Sequence, residues 1–201
     1  MAQAQRRIDG VGVGNVRFSV ADVYDLPNVD GTLAAGTFDH VFVCFLLEHL
    51  PRPVEALERL RETLKPGGTL TVIEGDHGST YFHPDSDAAR DAIACQVTLQ
   101  AHAGGDALIG RQLYPLLTQA GYDAARVEPR TVYVDATRPD LVDGFTRRTF
   151  TTMIAGIREP AIAAGLTTPE RFDRGIADLE RTTRPDGVFC YTFFRAVAVK
   201  R

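Results

Sequence analysis

The sequence predicts an α/β domain, a mostly parallel sheet with helices on both faces. Val41 to Phe45 is an apolar run without alternation, the pattern of a strand covered on both sides. Leu70, Val72 and Ile73 start a second such run. Between them Val54, Leu57, Leu60 and Leu64 recur at helical spacing. A strand, helix and strand of this length close as a right-handed parallel crossover.

Ala2 to Ile8 reads as the last turns of a helix, and Asp9 to Asn15 as a loop. Gly10, Gly12 and Gly14 spell G-x-G-x-G, yet a nucleotide-binding loop follows a buried strand and opens a helix. Here polar Gln5-Arg6-Arg7 precedes it and Val16 to Val20 follows, so the glycines are expected to form a connector. Val16, Phe18 and Val20 alternate as a strand running into Ala21-Asp22. Pro51 and Pro53 open the central helix and Lys65-Pro66-Gly67-Gly68 stops it. Ligands of parallel sheets sit at the carboxyl edge, here Cys44 to His49 and Glu74 to Tyr81.

Ser86 is placed to cap a helix carrying Ala89, Ile93 and Val97, and a second helix covers about Gly110 to Ala120. Arg126 to Val134 reads as a strand, with Pro129 marking an irregularity or an edge. Residues 140–181 form a helical insertion, within what is otherwise one domain spanning residues 1–201. Its apolar positions are those of ordinary core packing, and a lid over the substrate is the sharper reading. Asp186-Gly187 then turns the chain into the β-rich Val188 to Val199.

A chain of 201 residues with 44% hydrophobic and 24% charged residues is an ordinary globular domain. The net charge of −4, without a basic tract, argues against nucleic acid or an anionic membrane as partner and for a small molecule. Cys44, Cys95 and Cys190 are far apart and read as reduced core thiols. Glycines rather than an apolar segment follow Met1 to Arg7, and no run reaches membrane-spanning length, so the expected location is the cytoplasm.

Two phrases carry a resemblance: F-D-x-V-x-x-x-x-x-L-x-H from Phe38 to His49 and L-K-P-G-G-x-L from Leu64 to Leu70. With Ala21-Asp22-Val23-Tyr24-Asp25-Leu26-Pro27 upstream, they resemble the class I S-adenosylmethionine-dependent methyltransferases, particularly the ubiquinone and menaquinone C-methyltransferase branch. The resemblance implies a Rossmann-like sheet of order 3-2-1-4-5-7-6 with an antiparallel last strand, Val188 to Val199, after a helical insertion. It implies S-adenosylmethionine as cofactor, Asp22 and Val23 at the adenine, and the backbone of Cys44 and Phe45 at the methionine amine. His49, in a position the motif shares, shapes the pocket. The family's first two strands and glycine loop have no counterpart here. The resemblance therefore implies an amino-terminally truncated member with weak cofactor binding and an exposed sheet edge that favours a homodimer.

Methyl transfer from a sulfonium is an in-line displacement governed by positioning and exclusion of water. A general base is needed only where the accepting atom carries a proton. His77 and His83 are the candidates for that role, with Asp76 orienting an imidazole and Tyr81 meeting the substrate. For each, a loop residue bonding its own backbone is the plainer reading. No metal is expected, since the histidines lack partners at ligand spacing. The alternatives are a non-catalytic remnant or interaction module and, more remotely, a nicotinamide-dependent oxidoreductase, which would also need the glycine loop.

Overall fold

The computed structural model describes residues 2–10, 12–27 and 33–201; Val11, in the glycine connector, lies outside them. Helix α1 (Ala2–Gly10) comes first; a 3-10 turn (Val23–Asp25), strand β1 (Phe38–Cys44), helix α2 (Pro53–Thr63) and strand β2 (Leu64–His83) follow. Helices α3 (Asp87–His102) and α4 (Leu113–Gln119) lead to strand β3 (Asp123–Val134). Helix α5 (Pro139–Leu141), a π-helical stretch (Val142–Thr151), α6 (Thr152–Ala155), α7 (Arg158–Ala163) and α8 (Pro169–Arg181) precede strand β4 (Val188–Val199).

The sheet order is β1-β2-β4-β3. β1 and β2 are parallel neighbours, with Val41 opposite Leu70 and Cys44 opposite Ile73, as the crossover argument requires. β4 runs antiparallel to both β2 and β3. The sheet is therefore mostly antiparallel, which corrects the mostly parallel sheet expected from the sequence. Only β1 and β2 are adjacent strands joined by a crossover helix, and β4 enters between β2 and β3, so it opposes a strand on each side.

Val16 to Val20 is not a strand either, and Val20 is 77% exposed. Alternation produces a strand only where a neighbour's N–H and C=O groups complete a ladder. Asp22 caps a short 3-10 turn, Val23–Asp25, by accepting the Tyr24 N–H at 2.9 Å.

Helices cover both faces, and the alternation of β4 sorts the two cores. Ala196 and Ala198 face Leu57, Leu70, Val72 and Leu117 beneath α2 and α4. Phe189 and Tyr191 face Ala92, Phe150, Phe172 and Leu179 beneath α3, the π-helical stretch and α8. The helices of the 140–181 insertion thus contribute fully buried side chains, Ile154, Ala161 and Leu179 among them, to the second core. Local signals set the helix starts. Pro53 occupies the first turn of α2, the Ser86 Oγ accepts the Ala89 N–H, and the Thr168 side chain accepts the Arg171 N–H.

One irregularity in β2 shapes the site. Between Asp76 and Tyr81 the strand takes five steps while β4 takes two, from Thr192 to Cys190. The odd excess swaps the faces, so Phe82 packs into the second core although Leu70 and Val72 belong to the first.

Candidate active site at the carboxyl edge

β1 and the parallel part of β2 end side by side, and the Phe45 N–H still bonds the Ile73 carbonyl at 3.0 Å. Phe45 then takes a positive φ of 52° and turns the chain off the sheet. The next backbone donors would be orphans at the start of the 3-10 turn Leu47–His49. Glu74, fully buried on β2, meets them: its Oε1 accepts the Leu46 N–H at 3.0 Å and the Leu47 N–H at 2.8 Å. Its Oε2 has no partner. Burial raises the Glu74 pKa to about 7, against the lowering effect of those two N–H groups.

The turn is held from the other side by Gln100 on α3, whose Nε2 donates to the Glu48 carbonyl at 2.9 Å and to Glu48 Oε2 at 3.3 Å. The Asp106 N–H also donates to the Glu48 carbonyl. Cys44 is exposed, which corrects the core thiol expected from the sequence, because its side of β1 is uncovered; partial desolvation and the nearby Glu74 and Glu48 carboxylates raise its pKa. His49 is exposed, with its Nε2 3.6 Å from Glu48 Oε1.

The second part of the site is the irregularity in β2. Asp76, 2% exposed, receives the Arg111 guanidinium on both oxygens at 2.8 Å, and its Oδ1 also accepts the Gly78 N–H. The His77 N–H donates to the Ala107 carbonyl, and the Thr80 hydroxyl to the His77 carbonyl. His77 is 6% exposed. Its Nδ1 lies 2.9 Å from the Tyr191 hydroxyl on β4, and its Nε2 has no protein partner. Burial lowers the His77 pKa, and burial raises that of Tyr191. Gly75 leaves the room this pair needs, because a Cβ there would strike the Tyr191 hydroxyl.

A cleft of about 330 Å³ opens beside His77. Ile93, Ala94, Val97 and Leu108 form its apolar walls, and Thr80 and Thr98 add hydroxyls. Arg90, on its rim, is paired with Asp85 and Asp87.

The structure brings Asp76 and His77 together but turns Asp76 toward Arg111, and the imidazole meets Tyr191 in place of the expected carboxylate. Tyr81, 59% exposed, and His83, exposed near Asp85 and Asp186, fall outside the cleft lining. The face swap in β2 separates them from His77. Asp22 is exposed and Val23 packs against the first core. Sequence reasoning missed Tyr191, Arg111 and Gln100, each of which meets the edge only through the fold. A tyrosine on the inward side of a strand is the one signal that pointed to a buried hydroxyl in need of a partner. Among the described residues no cluster of histidine, cysteine and carboxylate side chains suits a metal ion. Nor is any helix long and apolar enough to cross a membrane.

A family model described as a methyltransferase domain matches residues 1–70. A 37.1 kDa protein of transposon TN4556 from Streptomyces fradiae is 35% identical over 164 residues, 81% of this chain and 44% of that protein. The ubiquinone/menaquinone biosynthesis C-methyltransferase of Azotobacter vinelandii is 39% identical over 69 residues, 34% of this chain and 25% of that enzyme. A putative methyltransferase structure from Bacillus halodurans superposes with a TM-score of 0.56 at 16% identity, covering 98% of this chain and 77% of that one. The fold is that of the class I S-adenosylmethionine-dependent methyltransferases.

A phosphoethanolamine N-methyltransferase from Haemonchus contortus, in complex with S-adenosylmethionine, gives a TM-score of 0.55 at 16% identity, over all of this chain and 40% of that one. The order β1-β2-β4-β3 matches the 4-5-7-6 end of the methyltransferase sheet. The chain spans less than half the length of the curated relatives it matches.

Proposed function

We propose that this chain carries the acceptor side of an S-adenosylmethionine-dependent methyltransferase acting on a small molecule. The observation that carries the reading is the built carboxyl edge: a buried carboxylate, Glu74, grips the Leu46–Leu47 turn, and further along β2 a cleft has in its wall an imidazole with one unpartnered nitrogen. Polar groups converging on an apolar cleft at the end of parallel strands are what a small-molecule site requires.

S-adenosylmethionine supplies a methyl group on a sulfonium. The residues present fit one wall of its site. Cys44 and Phe45 are exposed where the chain leaves the sheet, with His49 beyond them and Asp22 for the adenine end. No further strand lies outside β1 among the described residues. In this reading Glu74 and Gln100 fix the turn that faces the cofactor. Arg111 fixes Asp76, which fixes the 77–80 segment. His77 meets the acceptor, and Phe150 of the helical insertion covers the imidazole, with ring centroids 6.0 Å apart. Holding two reactants in line and away from water is the main service such a site gives.

The non-catalytic alternative draws on the bare edge of β1, where Phe42 is 60% exposed. Titrating the isotope-labelled chain with S-adenosylhomocysteine separates the two. The methyltransferase reading expects amide shifts at Cys44, Phe45 and Leu46. An absence of shifts there at millimolar ligand overturns it in favour of an interaction module.

A further inference from the structure

We infer that His77 presents a fixed N–H donor, from Nε2, to the cleft, and that the cleft takes a molecule with an apolar body bearing a carbonyl, enolate or phenolate oxygen.

The inference starts from one proton. The Tyr191 hydroxyl is buried, and its one side-chain partner is His77 Nδ1, at 2.9 Å. Two arrangements fit that distance. If Nδ1 carried the imidazole proton it would donate to the tyrosine oxygen, leaving the Tyr191 proton without an acceptor and the Nε2 lone pair without a donor. If the tyrosine donates to Nδ1, only the Nε2–H is unmatched. An unmet buried polar group costs about 1–3 kcal/mol, so the arrangement with one such group is favoured over that with two. Burial keeps the imidazole neutral and the phenol protonated, so neither assignment is upset by charge.

The remaining nitrogen has a direction to serve. His77 lines the cleft, is more than nine-tenths buried, and has no protein acceptor for Nε2. The Tyr191 hydroxyl holds Nδ1, and the ring packs edge-on to Tyr191 with centroids 5.6 Å apart and against Phe150 at 6.0 Å. Ile93, Ala94 and Val97 make the α3 side of the cleft apolar, and the Thr80 and Thr98 hydroxyls, which donate to the His77 and Ala94 carbonyls, do not reach Nε2. A ligand oxygen is the partner that satisfies the donor while an apolar body covers α3. A locked donor of this kind is a poor proton acceptor, so His77 binds and polarises an oxygen; it does not act as the base expected from the sequence. This deepens the methyltransferase reading, and it rests on that reading only for calling the bound molecule an acceptor substrate.

The test uses the whole chain with ¹⁵N-labelled histidine and the probes acetophenone and ethylbenzene, which match in size and differ by the carbonyl oxygen. The wild-type spectrum is expected to show His77 protonated at Nε2. Acetophenone is expected to shift that N–H and ethylbenzene to leave it in place. Tyr191→Phe, which keeps the ring and removes the lock, is expected to give mixed tautomers and about three- to tenfold weaker acetophenone binding with ethylbenzene unchanged. His77→Phe gives the same split, and because its loss strands the tyrosine, Tyr191→Phe stands in if that variant does not fold. A proton on Nδ1 in the wild type overturns the inference, and so does an equal response of the His77 resonance to both probes. Neither readout involves S-adenosylmethionine, so a chain that ignores the cofactor yet shows the Nε2–H response loses the methyltransferase reading and keeps the donor site.

Discussion

The carboxylate of Glu74 holds the backbone of Leu47, 27 positions earlier, at 2.8 Å and out of contact with solvent. One side chain thereby ties the end of β2 to the chain leaving β1, the two strand ends between which the candidate site lies. Its acid equilibrium is set by the same burial. Because the folded pKa is about 7 and the unfolded value near 4.5, the native state keeps a proton that the unfolded chain gives up. Stability is full below about pH 4.5 as far as this group is concerned, and falls as pH rises through 7. The loss is on the order of 3 kcal/mol. Urea unfolding at pH 5 and pH 8 is expected to show the drop, and Glu74→Gln to remove most of it. A wild-type chain as stable at pH 8 as at pH 5 would contradict the assignment.

Arg111→Met leaves Asp76 buried without its counter-charge. Removing one partner of a buried pair costs about 3–5 kcal/mol, and the half-exposed guanidinium brings the expectation below that range, to about 2–3 kcal/mol. The variant Asp76→Asn with Arg111→Met recovers part of that. Chemical denaturation of the wild type and the two variants measures both effects. Equal stability of wild type and Arg111→Met would show the pair to be ornamental.

Gly75→Ala places a methyl group against the Tyr191 hydroxyl, and Gly110→Ala places one against the Gly75 carbonyl and the Phe194 ring. Each is expected to cost about 1–3 kcal/mol by overpacking. The two differ in where the damage falls. Gly75→Ala displaces the hydroxyl from His77, so the histidine nitrogen resonances change. Gly110→Ala loosens the packing of α4 and its preceding turn with those resonances nearly as in the wild type.

Among the described residues no strand pairs with the outer side of β1, where Phe42 is exposed. Bare edges with apolar side chains associate. Sedimentation is expected to show a concentration-dependent dimer that Phe42→Lys weakens. Identical profiles for both proteins would exclude β1 as the contact.

What was legible in the sequence was what short-range chemistry dictates. The two apolar runs, Pro53 and Ser86 announced β1, β2, α2 and α3, because apolar composition and capping leave local marks, although Phe42 and Cys44 leave one side of β1 exposed where a strand covered on both sides was expected. Val16 to Val20 carried the marks of a strand and formed none, since a strand also needs a neighbour. The direction of β4 and its place between β2 and β3 were implied by the resemblance; the sheet is mostly antiparallel because the described strands form one parallel pair, β1 and β2, against the two antiparallel pairings of β4. At the site, His77 and Asp76 stood out by residue type. Their partners did not: Tyr191 lies 114 positions away and Arg111 35, and only the fold brings them together. Tyr81 and His83 looked equivalent to His77 until the irregular stretch of β2 swapped faces.

The hold on S-adenosylmethionine proposed above is one-sided, at the Cys44–Phe45 turn. A hydrogen bond to a charged group contributes about 1.5–3 kcal/mol, so a site lacking two such contacts binds about a hundredfold or more weakly than a two-sided one. Equilibrium dialysis of radiolabelled S-adenosylmethionine against the 201-residue chain is the direct measurement. Saturable binding is expected, with a Kd on the order of hundreds of micromolar, weakened further by Phe45→Asp. Micromolar affinity, or no saturable binding at millimolar cofactor, would contradict it.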